Sequence, residues 1–187
     1  MDTLKPIADF LFEVGVLNRT PRSGFNFIGA PHQSISDHTH RVVYVGYALS
    51  KMAGDSVNAD LVIKMCLFHD LTETRISDLN YVHKMYNERN EEKALHDITA
   101  NIPFGAEIAT VVHEYERRES MEALIAKDAD QIELLLSLKE IIDEGNNKAT
   151  RWIPSLLKIL KTDVAKELAA QIQETDSYGW VGAIEKS

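Results

Sequence analysis

Leu61-Val62-Ile63-Lys64-Met65-Cys66-Leu67-Phe68-His69-Asp70 decides how this chain is read. Val62 and Met65 stand at i and i+3, and His69 follows at i+7. The imidazole therefore continues the inward face of a helix at its C-terminal end. Asp70 lies one step around. A carboxylate at a helix C-terminus faces the negative end of the macrodipole, and an adjacent cation offsets that penalty. Both groups are metal ligands, and burying either one unpaired is costly.

The helical period extends in both directions. Upstream, His38, Val42, Val45 and Leu49 stand at i, i+4, i+7 and i+11 and share one face. Ser36 is the expected N-cap of this helix, which reaches about Met52. His40 sits about 200° from His38 and points elsewhere. Ile7, Phe10, Leu11 and Val14 mark a first helix over roughly residues 3–16. Asn18 to Pro31 holds Pro21, Gly24, Gly29 and Pro31 and reads as a long loop. Asn58 caps the helix that ends near Leu71. Residues 72–84 lack clean periodicity and read as a loop or a short helical turn. Helices are expected over Glu88–Asn101, Ala106–Arg117, Ser120–Asp143, Trp152–Leu160 and Asp163–Gln173. Period-2 alternation is scarce, so the class is all-α: a compact bundle of about seven or eight helices. It reads as one domain over 1–187, with a core at about 34–142 and C-terminal helices at 150–175 packed on it.

Composition narrows the function classes. The 187 residues carry a net charge of −9, which disfavours a nucleic-acid surface. No stretch approaches the ~20 apolar residues of a membrane span. Met1-Asp2-Thr3-Leu4-Lys5-Pro6 lacks a basic region followed by a long apolar run, so no signal peptide is read. The single Cys66 lies in an apolar run and excludes an internal disulfide. These features point to a cytoplasmic protein. Trp152 and Trp180 read as core or interface residues. His83, His96 and His113 read as surface or hydrogen-bonded residues, not a second metal site.

A third segment, Lys127-Asp128-Ala129-Asp130-Gln131, brings carboxylates on another helix. Periodicity alone does not choose between Asp128 and Asp130.

The order His38, then His69-Asp70, then a distant Asp resembles the HD-domain metal-dependent phosphohydrolases. The local wording is similar to that of the HD-domain 5′-deoxynucleotidases in four blocks. These are Leu17-Asn18-Arg19-Thr20-Pro21-Arg22-Ser23-Gly24-Phe25, Ser34-Ile35-Ser36-Asp37-His38-Thr39, His69-Asp70-Leu71-Thr72-Glu73 with Ser77-Asp78-Leu79, and Lys127-Asp128-Ala129-Asp130-Gln131. The resemblance spans about residues 4–142. It implies that His38, His69, Asp70 and Asp130 bind one divalent ion, with Asp128 the lesser candidate. A two-His, two-Asp set suits Mn²⁺, Co²⁺, Mg²⁺ or Zn²⁺. It further implies that Glu73 polarises or deprotonates the attacking water, and that Asp78 helps to bind nucleotide and water. Arg19, ahead of Arg22, is implied to hold the substrate phosphate, a task suited to the guanidinium fork.

The family pattern has a glycine before the second acid, where Ser77 stands here, and an aromatic after the phosphate arginine, where Thr20 stands. The expected activity is hydrolysis of (deoxy)nucleoside 5′-monophosphates by a homodimer. Alternatives are another nucleotide substrate (a triphosphate, an alarmone or a cyclic nucleotide) or a non-catalytic metal-binding module. The sequence shows no basic cluster near the site that would suit a long phosphate chain.

Overall fold

The computed structural model describes residues 4–184. Helices α1 (Leu4–Val14), α2 (Ile35–Ala53), α3 (Ala59–Phe68), α4 (Glu73–Ile76), α5 (Tyr81–Lys84) and α6 (Glu91–Thr99) build the first half. The second half holds α7 (Gly105–Arg117), α8 (Met121–Asp143), α9 (Ile153–Ile159), α10 (Asp163–Glu174) and α11 (Gly179–Ile184). Short 3-10 turns cover Gly15–Arg19, Ser23–Phe27 and Asn147–Arg151. No strand occurs among the described residues; one isolated antiparallel bridge joins Pro21 and Ser34. The all-α class is therefore observed. The expected start of the first helix at residue 3 lies outside the described residues, as do residues 1–3 and 185–187 of the expected single domain.

Helices α2, α3 and α8 form the centre. Val42 and Leu49 of α2, Val62 and Met65 of α3, and Ile125, Ile132, Leu135 and Leu138 of α8 are all fully buried. Each such side chain contributes about 2 kcal/mol of apolar burial. The three helices approach closely at Gly46: a Cβ placed there would meet Cys66 Sγ at 2.5 Å. Ala165, Ala169 and Ile172 of α10 belong to the same core. A second cluster, built on Phe10, Leu71, Leu95, Ile98, Ile108 and Val112, fastens α1, α6 and α7 beside it.

Several expected boundaries are corrected by capping chemistry. Ser34, not Ser36, caps α2: its Oγ accepts from the Asp37 N–H at 3.1 Å, and the Asp37 carboxylate accepts from the Ser34 N–H at 3.0 Å. The Asn90 side chain accepts from the Lys93 N–H, so α6 begins at Glu91 and not at Glu88. Helix α3 stops at Phe68 with His69 as its C-cap, short of Leu71. The expected loop 18–31 contains parts of two 3-10 turns, and α11 was not anticipated. Of the two tryptophans read as core or interface residues, Trp152 packs on the core with Ile153, whereas Trp180 is exposed beside Tyr178.

Candidate metal centre

His38 enters the centre from the first turn of α2 and is fully buried. Its Nδ1 faces Glu133 Oε2 at 2.5 Å. His69, at the end of α3, has its Nδ1 on the Cys66 carbonyl oxygen at 2.9 Å. A carbonyl only accepts, so the His69 Nδ1 carries the proton and its Nε2 presents a lone pair. Both Nδ1 atoms are thus committed, and the two Nε2 atoms face one another at 3.3 Å. Asp130 Oδ1 lies 3.3 Å from His38 Nε2. Asp70 Oδ2 lies 3.2 Å from His69 Nε2 and 3.6 Å from His38 Nε2.

Such spacings suit a single cation. Bonds of about 2.1 Å, arranged between right angles and a tetrahedron, put neighbouring donors about 3.0–3.4 Å apart. His38, His69 and Asp130 each offer one ligand atom, all within 4.8 Å of one another. Asp70 is outside that group of three, but its Oδ2 stands beside both histidines, is buried and accepts no hydrogen bond among the described residues. The side chains present therefore fit a divalent ion.

The electrostatics agree. Burial and Arg22 oppose the charged form of His38, yet the Asp130 and Glu133 carboxylates outweigh them and raise its pKa. Burial would raise Asp70, but the neighbouring His69 and His38 hold its carboxyl well below the usual range. Glu73, the first residue of α4, is pushed up to about 9 by burial and by Asp70 and Asp78, against the pull of Arg22 and Arg89. Its Oε2 is buried without a hydrogen-bond partner among the described residues. The raised His38 and Glu73 mark a cluster short of positive charge.

The remaining expected residues separate cleanly. Asp128 points away from the cluster: it accepts from the backbone N–H groups of Lys161 (2.9 Å) and Thr162 (2.7 Å) and from the Thr162 hydroxyl (2.7 Å). It fastens the α9–α10 junction. Arg22 reaches inward, its Nη1 3.9 Å from Asp70 Oδ2. Arg19 is exposed and lines neither cleft of the centre; it sits in a separate pocket with Thr20, His32 and Asp37. Thr20 thus lies away from the clefts as well. Asp78 Oδ2 accepts from the Ser23 N–H at 2.7 Å, which latches the 77–80 segment to the Arg22 loop. Ser23 Oγ donates to the Asp78 carbonyl at 2.8 Å and accepts from the Asn80 N–H at 3.0 Å. His83, His96 and His113 are exposed and take hydrogen-bonding contacts with Asn80, Asp97 and Glu92.

Sequence reasoning passed over Glu133. It is fully buried and held by Gln33 (2.9 Å), by Arg41 Nη2 (2.9 Å) and by Ser137 (3.0 Å). His38 and Arg41 draw its pKa down to about 2 despite burial. Glu133 stands three residues after Asp130, on the same helical face, and that spacing was the available signal. A histidine ligand whose second nitrogen is held by a carboxylate is fixed in ring orientation and tautomer.

Two clefts meet at the centre and share Asp70, Glu73, Lys84, Lys127 and Asp130. One, of about 270 Å³, is strongly charged. It corrects the expectation that no basic cluster lies nearby: Lys84, Arg89, Arg118 and Lys127 all line it. Acids interleave them, pairing Arg89 with Glu91 and Lys127 with Asp130. Lys84 has no ion-pair partner among the described residues. The other cleft, of about 290 Å³, carries Arg22, Asp78 and several aromatic side chains.

An all-α bundle with two histidines and an aspartate clustered at its centre defines a class. The HD domain family model matches residues 14–173, and the chain belongs to this family. It is 33% identical over 188 residues to the 5′-deoxynucleotidase HDDC2 of Danio rerio, covering 89% of this chain and 92% of that protein. It is 30% identical over 145 residues to the human 5′-deoxynucleotidase HDDC2, covering 74% and 70%. Among solved structures, a conserved hypothetical protein from Pyrococcus furiosus superposes with a TM-score of 0.75 at 24% identity, covering 90% of this chain and 99% of that one. A predicted metal-dependent phosphohydrolase from Magnetospirillum magnetotacticum gives 0.72 at 22% identity, covering 93% and 95%. These two structural likenesses establish the shared fold.

Proposed function

We infer that this protein is a metal-dependent phosphomonoesterase that hydrolyses nucleoside 5′-monophosphates, deoxyribonucleotides foremost, to nucleoside and inorganic phosphate. The carrying observation is the buried cluster of His38, His69 and Asp130, with Asp70 Oδ2 beside both histidines and left without a hydrogen bond. The 5′-deoxynucleotidase relatives supply the substrate class. A divalent ion held by these four side chains supplies Lewis acidity toward the phosphoryl group and the attacking water.

The chain's own groups do the rest. Glu73 lines both clefts beside Asp70, where its free carboxylate oxygen orients the water and takes its proton. Arg22 faces Asp70 and neutralises the phosphate dianion; Arg19, apart from the clefts, has no part in that reading. Asp78 anchors the loop that carries Arg22 and lines the aromatic cleft. Glu133 keeps the His38 Nε2 lone pair aimed at the ion.

The test is phosphate release from a panel of nucleoside 5′-monophosphates, with Mn²⁺, Co²⁺, Mg²⁺ or Zn²⁺ added separately to chelator-treated protein. The panel also identifies the working ion. His69→Ala and Asp70→Ala are expected to fall to the metal-free background while helical circular dichroism persists. Equal turnover by metal-free wild type overturns the reading. The cations of the charged cleft favour a second reading, a substrate with a longer phosphate chain. Release of pyrophosphate or triphosphate instead of phosphate identifies it.

The same reading makes the protein a cytoplasmic homodimer formed by one domain over 1–187. The buried free thiol of Cys66 suits a reducing compartment. Exposed Tyr178 and Trp180 give a second copy an apolar patch. Among the described residues, no helix is long and apolar enough to cross a membrane. Light scattering on the eluted protein reads the assembly directly.

A further inference from the structure

The two clefts leave the ion site in different directions and differ in chemistry. The charged cleft alternates lysines and arginines with Glu91, Glu92 and Glu116. A flat, weakly polar ring placed there would strip water from several charges without pairing them. The other cleft opens between the latched 77–80 segment and the C-terminal region, and Phe25, Leu79, Tyr81, Leu134 and Trp152 stand along it.

Trp152 is the informative member. It lies at the N-cap of α9, outside the four sequence blocks that resemble the 5′-deoxynucleotidases. Its ring stacks on Phe25, with centroids 6.5 Å apart and planes 16° from parallel. The loop bearing Arg22 passes against it: a Cβ on Gly24 would stand 3.5 Å from the indole. The indole is only half-buried and lines the cleft beside this loop. One continuous surface thus runs from Arg22, at the phosphate position, past Gly24 to the indole.

We propose that this aromatic cleft is the nucleoside subsite and that Trp152 is the platform against which the base stacks. The proposal rests on the nucleotidase reading for the position of the phosphate, and it corrects the view of Trp152 as a core or interface residue only. Stacking accepts any base because every base has a π-face. Recognition on this platform therefore predicts broad base tolerance, with purines held more firmly than pyrimidines through their larger ring area. It also predicts strong discrimination against a sugar phosphate that carries no base.

Two measurements test it. First, Trp152→Ala is expected to reduce the ratio of kcat/KM for a purine 2′-deoxynucleoside 5′-monophosphate to that for 2-deoxyribose 5-phosphate by about tenfold, the loss of one base–aromatic stack. Trp152→Phe is expected to keep most of the ratio. An equal fall for both substrates marks a merely structural role and overturns the proposal.

Second, the chain has two tryptophans, so Trp180→Phe leaves Trp152 as the single indole reporter. Its fluorescence is expected to be quenched saturably by the nucleoside monophosphate and not by the sugar phosphate, with or without turnover. No quenching, or equal quenching by both, overturns the subsite. Nucleotide-specific quenching without phosphate release would keep the subsite and sink the nucleotidase reading.

Discussion

The two sides of the metal cleft are built by different means. On one side, His38 and Asp130 project from α2 and α8, long helices whose apolar faces are fully buried. Their positions follow from the helical repeat. On the other side, Arg22 and Asp78 stand on non-helical segments linked by hydrogen bonds from Ser23 to Asp78 and from Asn80 to Ser23. The first side is set by packing, the second by a few polar contacts between segments 55 residues apart. The difference teaches that metal affinity and substrate affinity have separate supports here, and that each can be weakened alone.

Glu133→Gln gives the largest expected separation. It removes the carboxylate that fixes the His38 ring, and metal affinity is expected to fall about 10- to 100-fold. Competition with a chromophoric chelator reads this without any turnover. Unchanged metal affinity would show that α2 alone orients the imidazole.

Ser23→Ala attacks the other side. It deletes the acceptor for the Asn80 N–H and the donor to the Asp78 carbonyl. Leaving that buried N–H unsatisfied costs about 1–3 kcal/mol, visible as a lower denaturant midpoint. KM for the nucleotide is expected to rise several-fold with metal affinity held. A loss of metal affinity in this variant would break the comparison.

Ser77→Gly has the smallest expected effect, and an opposite sign. Ser77 sits at φ 61, ψ 163, a region that glycine alone adopts readily. The family pattern has glycine at this position, and the positive φ supplies the physical reason for it. Relief of about 1 kcal/mol of strain would raise Tm by about 2–4 °C. A lower Tm would show that the loop depends on the serine side chain.

Much of the helix-borne side was legible in advance. His38 and His69 could be placed because each continues a buried face at helical spacing, and that face is buried as the pattern requires. Glu133 was equally periodic but stood outside the residues that carried the resemblance. Asp128 and Asp130 could not be separated by pattern, since both are buried. What separates them is the neighbour each meets, the α9–α10 junction for one and His38 for the other. The resemblance put Arg19 ahead of Arg22, yet it is Arg22 that faces Asp70: a loop has no repeat from which direction can be read.

The sequence by itself determined an all-α chain, the inward faces of its central helices and the histidines that continue them, because burial follows the 3.6-residue period. Tertiary structure decided that Asp128 turns to the α9–α10 junction, that Arg22 and not Arg19 turns inward, and that Trp152 reaches the same cleft. Those outcomes depend on contacts between segments far apart in the chain, whose geometry no local pattern encodes.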